Sequence, residues 1–198
     1  DLSRLESGII KLEPVQDDII SFLKGITYSF HSLAEQKEID LSFQSSENKL
    51  LMDFDKDKTE KILLNLLSNA FKFTPKSGSI YIAVEKVDFF KGKQENHIKV
   101  TVKDSGAGIP ENELSKVFNR FYQADNSQVR EVEGSGIGLA LTKELIEVQN
   151  GAIEVLSGQE KGAAFVFYLP IKNDAPIVLN APEADLDNTE VTFEENSI

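Results

Sequence analysis

Cysteine is absent from the 198 residues, which excludes disulfides, thiol nucleophiles and zinc–thiolate sites. Histidine is scarce. His31 and His97 stand far apart and offer no metal-ligand spacing, and both are expected to be incidental surface residues. Positive charge is short as well. Twenty-one Lys and Arg face 33 Asp and Glu, for a net charge of −12, which argues against nucleic acid as the main partner. No apolar run reaches the length of a transmembrane helix, and no signal peptide opens the chain. The chain begins without Met and is expected to be a piece of something longer. What is there argues for a globular body. Forty per cent of the residues are hydrophobic, thirteen are Phe, and the length suits one domain with a substantial core plus some extra chain.

One stretch organises the rest, Lys58-Thr-Glu-Lys-Ile-Leu-Leu-Asn-Leu-Leu-Ser-Asn-Ala-Phe-Lys-Phe73. At about 100° per residue, Ile62, Leu63, Leu66, Leu67, Ala70, Phe71 and Phe73 cover most of a helix circumference, so this helix is expected to be buried on most sides. The remaining arc holds Lys61, Asn65, Ser68, Asn69 and Lys72. Asn65, Asn69 and Lys72 stack along one line at i, i+4 and i+7. Such a line is either a solvated stripe or a ligand site, with amide oxygens for a hard metal ion and an ammonium for phosphate. The helix alone does not choose between them.

Along the chain, Asp1–Gly8 reads as the end of a helix, Ile9 to Val15 as a short strand, and Asp17 to Lys37 as a helix started by Asp17 and Asp18. Ile39 to Gln44 and Leu50 to Phe54 read as strands. Asp55 is the expected N-cap of the central helix, and Pro75 lies just beyond its end. Gly78 to Val87 and Ile98 to Lys103 are strands of period two, separated by a polar insert. Glu111 to Val117 is helical by pattern. Asp125 to Glu133 reads as a mobile polar loop, Leu139 to Val148 as an amphipathic helix, and Ala152 to Leu156 and Ala163 to Leu169 as strands. From about Ile171 acidic residues, Asn, Ala and Pro dominate, which suggests an acidic flexible linker or tail over 171–198. The adjacent strand pairs at Ile39–Phe54, Gly78–Lys103 and Ala152–Leu169 predict an α/β two-layer sandwich, with a mixed, mostly antiparallel sheet covered on one face by helices.

Two glycine segments remain, Asp104-Ser-Gly-Ala-Gly108 after a strand and Gly134-Ser-Gly-Ile-Gly138 before a helix. The second has the wrong spacing for a dinucleotide fingerprint, and no P-loop pattern exists. Two glycine turns beside helix starts, one of them with an acid at a strand end, weigh against ordinary loops. The order of the parts carries more. Asn65-Leu-Leu-Ser-Asn-Ala70 is followed by Asp104-Ser-Gly-Ala-Gly108, Phe118-Asn-Arg-Phe121, a polar loop and Gly134-Ser-Gly-Ile-Gly138. In this order they resemble the N box, first glycine box, F box and second glycine box of the catalytic, ATP-binding domain of sensor histidine kinases, within the superfamily of gyrase, heat-shock chaperone and MutL ATPases. The resemblance covers roughly Ile9 to Pro170, the expected catalytic domain.

The resemblance implies ATP and Mg2+ as ligands and transfer of the γ-phosphoryl group to a histidine. Asp104 would accept from the adenine amino group, and Gly106 and Gly108 would let backbone pass the base. Gly134, Gly136, Gly138 and Leu139 would open a helix whose N–H groups receive phosphate. Asn69 would hold magnesium, with Asn65 supporting it or the phosphates. Lys72 and Arg120 are the available cations, and Phe118 and Phe121 would anchor a nucleotide lid at Asp125 to Glu133. ATP-hydrolysing relatives carry Glu at the position of Asn65, and an amide cannot act as a general base, which favours transfer over hydrolysis. The implied partners are a histidine-containing dimerisation domain of the same protein, a response regulator or receiver domain, and a second copy in a homodimer. Neither nucleic acid nor direct membrane contact is expected for this chain, which would be the cytoplasmic part of a sensor. Asp1–Gly8 resembles the end of the dimerisation helix. Three departures stand out. Gln123 replaces an Arg common after the F box, Ala163-Ala164 replaces Ser or Thr in the last strand, and no acceptor histidine followed by an acid is present.

Overall fold

Alternating burial builds the main sheet. The computed structural model describes residues 10–123, 136–157 and 162–176. Within them β2 (Asp40–Ser45), β4 (Ser79–Phe90), β5 (Lys93–Asp104), β6 (Ala152–Leu156) and β7 (Ala164–Pro170) form one five-stranded sheet in the order β2-β4-β5-β7-β6. Only β2 and β4 are parallel. Ile80, Ile82 and Val84 of β4 and Ile98, Val100 and Val102 of β5 turn to the same buried face. Helices cover it: α1 (Ile19–Ser29), α3 (Lys56–Phe73) and α4 (Gly138–Glu147), with the short α2 (His31–Lys37) beside β2. This is the expected two-layer sandwich. No helix among the described residues is long and apolar enough to cross a membrane.

The central helix is set by caps and packing. Asp55 accepts from the Lys58 N–H at 3.1 Å and begins α3, while Thr74 ends it before Pro75. Ile62, Leu63, Leu66, Leu67 and Phe71 are fully buried, and each contributes roughly 1.5–3 kcal/mol on leaving water. That packing, more than helix propensity, orients the polar line. Phe73 departs from the expected buried set. It lies in the last turn, past the sheet, and is 46% exposed.

Several sequence expectations change. Residues 10–14 form no strand, because Pro14 fixes the backbone and the Glu13 N–H is taken by Asp55 Oδ2 at 2.8 Å. The first strand is β1 (Val15–Asp18), which absorbs Asp17 and Asp18, and Asp18 then caps α1. The expected single helix breaks at Phe30. Thr27 Oγ1 and Ser29 Oγ donate back to the Leu23 and Ile26 carbonyls at 2.9 and 2.7 Å, and Phe30 turns to stack on Phe71. Neighbours in sequence are not neighbours in the sheet. β3 (Leu51–Phe54) leaves β2 and pairs antiparallel with β1 in a separate two-stranded ribbon. The polar insert is also shorter than expected. β4 and β5 run on to a two-residue turn at Lys91-Gly92, both with positive φ. Phe90 then folds back over His97, with ring centroids 4.3 Å apart, so His97 is 3% exposed and not a surface residue.

After β7 the chain crosses the β1–β3 ribbon. The Asp53 N–H donates to the Lys172 carbonyl at 2.7 Å and the Gln16 N–H to the Pro176 carbonyl at 2.8 Å. The Asp174 and Ala175 N–H groups meet Asp53 Oδ2 at 2.5 and 3.0 Å. Residues 171–176, expected to begin the tail, are thus held by backbone hydrogen bonds. Asp1–Gly8, the loop from Asp125 to Glu133, and 177–198 lie outside the described residues.

Candidate functional site

One end of the candidate site grows from a strand terminus. β5 ends at Asp104, which is 6% exposed. Its Oδ1 accepts from the Gly106 N–H at 2.8 Å and the Ala163 N–H at 3.4 Å, and neither bond uses Oδ2. Burial pushes this carboxyl above its ordinary range, and the backbone donors only partly offset that. The glycines beside it are structural necessities. A side chain at Gly106 would collide with the Phe73 carbonyl, and one at Gly162, where φ is 102°, with the Asp104 carbonyl. Gly108 packs against the Gly162 backbone and Ser157. Ser157 ties these turns together. Its hydroxyl accepts from the Ile109 N–H at 2.9 Å and donates to the Gly162 carbonyl at 3.0 Å. Sequence reading missed both Ser157 and the half-exposed Phe73; the only sequence signal for Ser157 was its place before a glycine turn.

The other end of the candidate site lies between α3 and α4. Asn65, Asn69 and Lys72 are each half-buried along one line of α3, as their spacing required. Asn65 Nδ2 donates to Thr142 Oγ1 on α4 at 2.8 Å. Its Oδ1 abuts Gly138, so that a side chain there would collide with it. Asp18 and Asp55 cap α1 and α3, each worth about 1 kcal/mol, but the residue before Gly138 is Ile137, and among the described residues no side chain caps α4. An uncapped helix N-terminus presents N–H donors and positive partial charge to an anion.

The two phenylalanines of the F box part company. Phe118 is half-buried, edge-on to Phe165 at 6.3 Å, while Phe121 is 72% exposed with φ of 64°. The Phe121 N–H donates to the Gly136 carbonyl at 2.8 Å, which joins the F box to the second glycine segment. Arg120 pairs with Glu144 of α4 at 2.6 Å, and Lys72 Nζ lies 5.2 Å from the Phe73 ring centre. Leu139, half-buried, packs on the core beneath the start of α4. Gly134 lies outside the described residues. Thus Asn65, Thr142 and Gly138 meet at one end, Asp104, Gly106 and Gly108 at the other, and Phe73 stands between α3 and the Gly106 turn. Among the described residues no cluster of His, Asp or Glu could hold a metal, so any ion here would depend on amide oxygens and its own waters.

Known proteins are similar to this chain in sequence and in fold. The sensor histidine kinase TmoS of Ectopseudomonas mendocina is 36% identical over 183 residues, covering 92% of this chain and 17% of its own. The hybrid signal transduction histidine kinase D of Dictyostelium discoideum is 34% identical over 171 residues, covering 86% of this chain and 11% of its own. This chain therefore spans less than a fifth of either relative. Full-length ShkA, solved in complex with AMPPNP, superposes with a TM-score of 0.72 at 26% identity, covering 87% of this chain and 34% of that one. The sequence profile described as histidine kinase-, DNA gyrase B-, and HSP90-like ATPase matches residues 54–173. With that profile spanning most of the described body, from the last residue of β3 to just beyond β7, the chain belongs to the histidine kinase-, DNA gyrase B- and HSP90-like ATPase family.

Proposed function

We propose that this chain is the ATP-binding catalytic domain of a two-component sensor histidine kinase. The observation that carries the reading is the pairing of the α4 N-terminus, which Ile137 does not cap and which is pressed against Asn65 of α3, with a buried acid, Asp104, beside the Gly106 turn at the C-terminal end of α3. Asp104 Oδ2 would accept from the adenine amino group, which selects against guanine. Phe73 would offer the base an apolar face. Gly136 and Gly138 leave the α4 N–H groups open to the polyphosphate. Asn69, with Asn65, would present amide oxygens to Mg2+, a hard ion that keeps several of its waters. Bound there, magnesium would neutralise phosphate charge. Lys72 and Arg120 are the candidate cations for the γ-phosphate, and Arg120 would have to leave Glu144 to reach it.

In the reaction the bond between the γ-phosphorus and the bridging oxygen breaks, a phosphorus–nitrogen bond forms to a histidine imidazole, and ADP leaves. The acceptor would lie on a dimerisation domain of the same protein, in a homodimer, with a response regulator or receiver domain downstream. The ATP requirement fits a cytoplasmic position. An ATP-hydrolysing switch of the same fold is disfavoured because Asn65 cannot deprotonate water. The test is phosphoryl transfer in trans from labelled ATP to a supplied dimerisation domain. Acid-labile label on that domain, with little phosphate release by this chain alone, is expected. Rapid steady-state phosphate release without transfer would favour the switch.

A further inference from the structure

We propose that Thr142 is a positioning residue that fixes which end of the Asn65 amide faces the phosphates. The inference rests on the functional reading above. A side-chain amide carries an acceptor at one end and a donor at the other, and rotation by half a turn exchanges them. At Asn65 both ends are constrained. Nδ2 donates to Thr142 Oγ1 at 2.8 Å, and Thr142 is 1% exposed, so water does not compete for that bond. Oδ1 lies against Gly138, the first residue of α4. Gly138 and Thr142 are four residues apart and share one face of α4, so a single helix grips both ends of the amide.

The helix dipole sets the sense of the grip. The α4 N-terminus carries partial positive charge, which attracts the amide oxygen and repels the amino group. Without the Thr142 acceptor, Nδ2 would be left in a half-buried position beside an apolar wall, and the amide would turn to find a partner. The oxygen would then no longer be held where a metal-bound phosphate meets α4. Thr142 touches neither nucleotide nor metal in this account; it acts through Asn65.

The test uses Thr142→Val, which keeps the shape and removes the acceptor, and Thr142→Ser, which keeps the acceptor. Nitrogen–proton spectra of the nucleotide-free protein report the Asn65 side-chain amide, and calorimetry compares Mg-ATP with adenosine. In Thr142→Val the Asn65 amide signals should shift and exchange faster. Mg-ATP should bind about five- to tenfold more weakly, while adenosine binds as before. Thr142→Ser should stay within about twofold of the wild type for both ligands. Equal loss of adenosine and Mg-ATP, or failure of Ser to restore binding, would reduce Thr142 to a packing residue and overturn the proposal. Unmoved Asn65 amide signals in Thr142→Val would remove the positioning role itself, whereas a wild type that binds no Mg-ATP would remove the functional reading beneath it.

Discussion

The two ends of the site are built by different means. At the base end, backbone touches backbone. The Gly106, Gly162 and Asp104 chains pass so closely that no side chain fits between them, and Ser157 ties the turns together. At the phosphate end, side chains face side chains: Asn65 meets Thr142 and Gly138, and Arg120 pairs with Glu144 near the surface. The backbone contacts of the first end leave no room to give, whereas the side chains of the second have rotatable bonds. Substitutions at the base end should therefore register first in stability, and those at the phosphate end in ligand binding.

Two glycines break or sharpen this contrast most. Gly162→Ala puts a side chain into the Asp104 carbonyl at a φ of 102°, and backbone cannot swing aside. The variant should lose more than about 2 kcal/mol in urea unfolding. Gly138→Ala meets only the Asn65 side chain, which can turn. It should stay within about 1 kcal/mol of the wild type yet bind Mg-ATP about tenfold more weakly. Comparable destabilisation by both would erase the distinction.

Asp104 separates stability from binding within the base end. Its folded-state carboxyl titrates above the ordinary 3.8, because burial disfavours the charge. The native state thus holds the proton longer than the unfolded chain, and this group's contribution to stability falls as pH rises from 3.8 through the raised value. Asp104→Asn should be at least as stable as the wild type at pH 7, with a flatter pH dependence in urea unfolding, while ATP binding weakens by about tenfold to a hundredfold.

Asp55 should behave in the opposite sense. Burial raises its carboxyl, but the Glu13 and Lys58 N–H groups and the Lys58 ammonium more than offset that, and the net shift is downward. Its stabilisation is present above 3.8 and fades as pH falls through the lowered value. Asp55→Ala should cost about 1–2 kcal/mol near neutrality, a difference that shrinks in acid unfolding curves. The smallest stability effect belongs to Arg120→Ala. Its pair with Glu144 is half-exposed, so unfolding should move by less than about 1 kcal/mol while phosphoryl transfer in trans falls.

The same division explains what the sequence made legible. The α3 line was readable because helix geometry is local: Asn65, Asn69 and Lys72 share a face by spacing alone, and Asp55 and Pro75 mark the ends. Strand partners were not readable, because they depend on distant chain. β3 finds β1 across α1, α2 and β2, and Asp53 holds Lys172, Asp174 and Ala175, more than a hundred positions away. Burial misled where a tertiary neighbour decided it. Phe90 lies across His97, which is 3% exposed, whereas Phe73, in the last turn of α3, is 46% exposed. Ser157 had only its place before a glycine turn to mark it, since its role lies in bonds to Ile109 and Gly162.

On the proposed reading Asp104 holds the base, and Asn65 and Asn69 hold a magnesium-bound polyphosphate. Calorimetry of ATP with and without magnesium, on the wild type and on Asn69→Ala, tests it most directly. The account predicts that magnesium tightens binding in the wild type, that Asn69→Ala loses this gain, and that magnesium-free binding is the same in both. Equal loss with and without magnesium, or a full magnesium gain in Asn69→Ala, would contradict it.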